Sequence, residues 1–158
     1  MELIGKGEFT KAYRNDKGRV ILHSQDRVKE CMALGWFPDH RLFPVIERLD
    51  NGDNYSTYEM EYFQQPKSLK SSLTARQWRL YQALRKLGVR SMSRFPYETW
   101  IEEFKSLPSE FKEEKEVLLE AIDGLLNYST GIRFEISPRN VAVKGKKLIL
   151  LDCFFIRD

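Results

Sequence analysis

Cysteine and histidine are scarce in this 158-residue chain: Cys31 and Cys153, His23 and His40. Two thiols in no ligand spacing exclude a zinc ribbon and a disulfide framework, and two imidazoles leave little for a metal site. No apolar run reaches the roughly 18 residues of a membrane span. The opening Met1-Glu2-Leu3-Ile4-Gly5-Lys6 has no apolar stretch of signal-peptide type. Charge of one sign is also lacking. Lys+Arg 26 against Asp+Glu 23 leaves +3, too little to imply nucleic acid as a partner. Internal repeats and low-complexity tracts are absent. What is present is a 42% apolar, 13% aromatic composition, enough to build a core for one domain or two small lobes. The expectation is a soluble protein of a reducing compartment, cytoplasmic, with no membrane association.

Along the chain, turn signals punctuate short apolar runs. Ile4 to Tyr13 carries glycines at 5 and 7, Asn15-Asp16-Lys17-Gly18 reads as a turn, and Arg19 to His23 as the returning strand. Ser24 can cap a helix with Val28, Cys31 and Met32 on one face and Gly35 as its stop. Phe43 to Leu49 reads as a strand, Asp50 to Asn54 as a turn, and Tyr55 to Phe63 as an aromatic strand. From residue 67 the period changes. Trp78, Tyr81, Leu84 and Leu87 recur at helical spacing up to Gly88, opposite Arg76, Arg79, Arg85 and Lys86. A short helix follows from Phe95 to Phe104, with Trp100 inside. A long one runs from Ser109 or Glu110 to Tyr128, with Val117, Leu118, Ala121, Ile122, Leu125 and Leu126 inward. Asn140 to Val143 and Leu148 to Leu151 make a late hairpin around Lys144-Gly145-Lys146-Lys147. The fold class is α+β: residues 1–66 a sheet lobe with one helix, 67–158 a helical lobe with a hairpin.

Three segments can carry chemistry. Gly5-Lys6-Gly7 in a strand-turn lets the backbone approach phosphates and offers N–H donors, although such glycines also serve ordinary hairpins. Tyr58-Glu59-Met60-Glu61-Tyr62-Phe63 ends a strand where the lobes meet, so its backbone can pair with an adenine edge; an amphipathic strand with its acids outward is the ordinary reading. Glu135-Ile136-Ser137-Pro138-Arg139-Asn140 precedes Asp152 by a hairpin. An amide and a carboxylate there can share Mg²⁺, which takes few protein ligands and keeps phosphate oxygens. As ordinary features, Asn140 is a loop cap and Asp152 a strand-end acid.

In this order the segments resemble the protein-kinase family. Gly5-x-Gly7-x-Phe9-x-x-Ala12-Tyr13 followed by Arg19-Val20-Ile21 is most similar to the early serine/threonine kinases of lytic bacteriophages. The resemblance implies a two-lobed fold over residues 4 to about 155. It implies ATP and Mg²⁺ as cofactors, with Gly5, Lys6, Gly7, Met60, Glu61 and Phe63 around the nucleotide. It also implies Glu135 as the base, Asn140 and Asp152 on the metal, and a bacterial host protein as partner. Departures are as informative. Thr10 replaces a glycine, Leu22 and His23 occupy the place of the third-strand lysine, and Glu135 replaces an aspartate. Asp152-Cys153-Phe154 stands where Asp-Phe-Gly is expected, with bulky phenylalanines, Phe154 and Phe155, in place of a flexible glycine. Glu30 is the candidate helix glutamate, and Lys6 or Lys11 the candidate replacement lysine.

Three functional readings follow: a degenerate kinase-like protein acting mainly by binding a host protein, with or without bound nucleotide; an active ATP-dependent serine/threonine kinase; and a binder of an acidic protein or nucleic acid, without a nucleotide site, through the basic face of Arg76, Arg79, Arg85, Lys86, Arg90 and Arg94. His23 is either a strand residue or a donor in the nucleotide cleft. Trp36, Phe37, Trp78, Tyr81, Trp100 and Phe104 are expected in the core, and both thiols buried.

Overall fold

A computed structural model of the chain describes residues 1–91 and 97–157. The expected Phe95 start of the fourth helix and Arg94 lie outside the described residues, as do the side chains of Arg90 and Trp100. In chain order come β1 (Glu2–Lys6), β2 (Thr10–Arg14), β3 (Val20–Ser24), α1 (Arg27–Ala33), β4 (Glu47–Asn51) and β5 (Ser56–Met60). After them come α2 (Leu69–Ser72), α3 (Ala75–Ser91), α4 (Tyr97–Lys105) and α5 (Lys112–Leu126). The chain closes with β6 (Ile132–Phe134), β7 (Val141–Lys144), β8 (Lys147–Leu150) and β9 (Phe154–Ile156). The architecture is α+β, with an antiparallel amino-terminal sheet followed by helices.

The first five strands form one antiparallel sheet in the order β1-β2-β3-β5-β4. Its first arm is not one strand, as expected, but two. Gly7 N–H donates to the Thr10 carbonyl at 2.7 Å, closing a turn that folds the arm back on itself. The next turn is the expected one. Asn15 Oδ1 accepts from the N–H groups of Lys17 and Arg19, and Gly18 takes a φ of +75° that glycine adopts without strain.

Register assigns each side chain to a face. Ala12, Leu22 and Tyr58 form one cross-strand row, and Arg14, Val20 and Met60 the next; this inner face packs with Met32 of α1 and with Leu151. On the outer face, Lys6, Lys11, His23 and Thr57 stand in a row across β1, β2, β3 and β5.

The cap of α1 is Asp26, whose carboxylate accepts from Val28 N–H at 2.9 Å, not Ser24. Ser24 Oγ instead accepts from Asp26 N–H and bonds the Thr10 hydroxyl, tying the helix entry to β2. The strand expected from Phe43 begins only at Glu47. Leu42 and Phe43 are buried in the larger core, and the Leu42 carbonyl takes Leu150 N–H at 2.7 Å.

Gly88 does not end α3, which continues to Ser91. A Cβ there would lie 3.2 Å from Ile136 N, so the glycine serves close approach to the loop before β7. The strands β6 and β9, which pair antiparallel, carry no alternation signal because each has only three residues. The late hairpin β7–β8 turns through Gly145 and Lys146, both at positive φ.

Two apolar clusters hold the fold. The larger joins Leu80, Leu84, Leu118, Ile122, Leu125, Phe104 and Phe134 to Val28, Cys31, Leu42 and Phe43, so the two parts of the chain share packing. Trp78 and Phe37 pack on it, whereas Trp36, at 38% exposure, lies outside, tilted against Tyr128. The smaller cluster lies on the inner face of the sheet. No described helix is long and apolar enough to cross a membrane.

Candidate functional site

Asp152 follows β8, and Asn140 precedes β7, at the two ends of one hairpin. Their backbones are stitched together: the Asn140 carbonyl accepts from the N–H of Leu151 at 2.9 Å and of Asp152 at 3.2 Å. Glu135 N–H donates to the Cys153 carbonyl at 2.8 Å, so the Glu135–Asn140 loop and the 152–153 segment form one unit. The Glu135 side chain is exposed. Arg85 of α3 braces the same loop through the Ile136 carbonyl at 2.8 Å.

A residue that the sequence reading missed dominates this centre. Lys29, in the first turn of α1, is 4% exposed. Its Nζ donates to Asp152 Oδ1 at 3.1 Å and to the Leu151 carbonyl at 3.2 Å, and lies 3.7 Å from Asp26 Oδ2. Burial pulls its pKa down, but the charges of Asp152 and Asp26 outweigh that and hold the ammonium above the ordinary lysine value. Asp26, the helix cap, is the lysine's second carboxylate. Asp152 keeps 57% of its side chain exposed. The pair therefore couples a buried cation to an acid that still faces water.

The place given to the third-strand lysine is apolar. Leu22 is buried opposite Ala12 and Tyr58 and packs in the smaller cluster. Its neighbour His23 is on the outer face, stacked on Tyr55 at 4.6 Å and tilted against Tyr13, which removes it as a cleft donor. Lys6 and Lys11 share that outer face, so neither replaces the lysine toward Asp152. Glu30 pairs with Arg48 of β4 at 3.0 Å and not with a lysine.

The linking segment is tied down as well. Met60 is buried opposite Val20, Glu61 takes Lys144 at 2.8 Å, and Arg14 lies over the Tyr62 ring at 4.0 Å. Tyr62, Phe63 and Leu151 pack against the cluster that holds Leu22 and Met60. Gly5 faces Ala12 across β1 and β2. Gly7 lines a hollow of about 330 Å³ together with Lys6, Lys11, His23 and Tyr55. Asp152 borders a different cavity, of about 10 Å³, against Val28, Lys29 and Phe43. That is room for one water. Asn140 and Asp152 are thus brought together, while Gly7 and Asp152 line separate spaces.

Among the described residues no three His, Cys, Asp or Glu side chains gather around a metal position. Asp152 with Asn140 matches only the sparse ligand set with which Mg²⁺ is held beside phosphate oxygens.

Three arginines of the basic face of α3 have partners within the chain, while Lys86 stays exposed. Arg76 pairs with the buried Glu114 at 2.6 Å, Arg79 pairs with Glu110, and Arg85 braces the Ile136 carbonyl. Both thiols are buried as expected, with burial pushing Cys31 up to about 11 and Cys153 higher still. No protein-family model matches the sequence, and no curated protein matches it.

Proposed function

We propose that this chain is a minimal, kinase-like protein that acts by binding another protein, a bacterial host protein on the strength of the phage-kinase resemblance, and does not depend on phosphoryl transfer. The observation that carries the reading is the buried Lys29 ammonium on Asp152. The acid that would have to hold a cation already has one, supplied by the chain itself. A magnesium–nucleotide has to compete with that ammonium at 3.1 Å, and Asp26 keeps the ammonium in place.

Further support comes from the architecture. An antiparallel sheet with one helix inserted before β4, followed by helices and the late hairpin β7–β8, agrees with the two-part α+β arrangement that the resemblance implies. The third strand has no lysine at that place, and a lysine–carboxylate pair stands instead at the start of α1, as Lys29 and the cap residue Asp26. Leu22 fills the third-strand place with apolar packing to Tyr58 and Met60. Tyr62 and Phe63 of the linking segment, which the resemblance sets beside the purine, pack with Leu151 against the chain's own cluster. When bound, Mg²⁺ and ATP would supply the transferable phosphoryl group and its charge neutralisation. Asp152 and Asn140 would then hold them, and Glu135, exposed and one methylene longer than an aspartate, would take the proton.

The test is a thermal-shift titration with ATP and Mg²⁺ on the parent, Asp152→Ala and Asn140→Ala proteins. The reading expects the parent to respond no more than the variants. A magnesium-dependent stabilisation that Asp152→Ala removes would overturn it in favour of an active nucleotide site.

A further inference from the structure

The outer face of the sheet carries a feature that the inner cleft does not explain. Lys6 of β1 stands directly opposite Lys11 of β2, and Lys11 directly opposite His23 of β3. Two ammonium groups and an imidazole therefore lie side by side across three strands. Like charges directly opposite one another destabilise a sheet. Neither lysine has a carboxylate within ion-pair distance among the described residues, although Glu8 sits in the connecting turn and borders the same hollow.

This row floors the hollow of about 330 Å³, a size suited to a small ligand. Aromatic surface lies beside it. Tyr55 is stacked on His23 by one face and is 45% exposed, and Phe9, at the turn, is 51% exposed. The rim is held in place by the chain. Gln25 N–H donates to the Phe9 carbonyl at 2.9 Å, and Gln25 Nε2 donates to the Asn54 carbonyl at 2.6 Å, bracing the 7–9 turn and the β4–β5 turn against the end of β3.

We infer that this outer hollow binds a small planar-ring phosphomonoester, its dianion bridging Lys6 and Lys11 and its ring against Tyr55. Strands about 4.8 Å apart place the two ammonium groups where one phosphate reaches both. An aromatic face takes a ring by stacking without demanding one ring identity. A nucleoside monophosphate and free phosphotyrosine share this chemistry. The site stands on the opposite side of the sheet from Asp152 and does not rest on the proposed function.

Calorimetric titration in EDTA, which silences any magnesium-dependent binding, tests it with AMP, O-phosphotyrosine, adenosine and inorganic phosphate as probes. At least one ring phosphate should bind with a dissociation constant below about 1 mM, and the tighter of the two names the source. Adenosine and inorganic phosphate should each bind at least about tenfold more weakly. Lys6→Glu with Lys11→Glu should lose about tenfold or more. Tyr55→Ala should lose about tenfold, and Lys86→Glu, an exposed charge on α3, should lose nothing. Lys6 and Lys11 are exposed, so folding should survive, and Lys11→Gln alone provides a milder check. Failure of both ring phosphates to bind, equal binding of inorganic phosphate, or unchanged affinity in the double lysine variant overturns the inference.

Discussion

Replacing Lys29 by methionine keeps an unbranched chain in the buried space and removes only the ammonium. Three partners then change state. The Leu151 carbonyl loses a donor, which costs about 1–3 kcal/mol for a buried acceptor. Asp26, with 13% side-chain exposure, loses its counter-charge but still accepts from Val28 N–H. Asp152 is 57% exposed and returns to water at little cost. Together these put the loss near 2–4 kcal/mol, at or below the 3–5 kcal/mol seen when a fully buried pair is broken. Urea unfolding at neutral pH measures it, and the double variant Asp26→Asn/Lys29→Met supplies the cycle. Asparagine still caps the helix and needs no cation, so the double variant should be more stable than Lys29→Met alone by about 1 kcal/mol. A Lys29→Met protein within about 0.5 kcal/mol of the parent would refute the reasoning, because surface substitutions fall in that range.

Further outcomes follow from the same structure. Lys29, Cys31 and Cys153 all have raised pKa values in the fold, so each favours its protonated form there. Their contribution is complete below the unfolded values and is lost as pH rises through the folded ones. Stability should therefore hold up to about pH 9 and fall above it, read by urea midpoints at stepped pH. At pH 8 neither thiol should react with Ellman's reagent until the protein unfolds. Gly124→Ala drives a Cβ into the Trp36 carbonyl and should cost about 1–3 kcal/mol in denaturant unfolding, outweighing any gain in helix propensity. Lys11→Glu turns the like-charged row into an opposite-charged pair with Lys6 and should raise stability by about 0.2–1 kcal/mol, in contrast to its effect on ligand binding.

Much of the architecture was legible in the sequence because its signals are local. The Asn15–Gly18 turn, the Lys144–Lys147 turn and the helical recurrence of Leu118, Ala121, Ile122 and Leu125 each depend on neighbours in the chain. What escaped was set by distant partners. Lys29 sits in the first turn of a short helix, where a lysine ordinarily faces solvent; the Leu151 carbonyl and Asp152, 122 and 123 positions away, join Asp26 in holding it buried. The arginines of α3 read as a basic face, but their carboxylates lie on the segment before α5 and on α5 itself, over thirty positions away. His23 had two places open to it, and the registers of β2 with β3 and of β3 with β5 decide for the outer face. Gly88 shows the limit of a local rule. Glycine often marks a helix end, yet here it is a contact with Ile136 inside a continuing helix.

The most direct test of the central claim is transfer of the terminal phosphoryl group from labelled ATP, with Mg²⁺, to the chain itself and to bacterial host lysate. With Lys29 seated on Asp152, the account predicts no incorporation above that of the Asp152→Ala protein. Label that enters a protein with the parent and disappears with Asp152→Ala would contradict it.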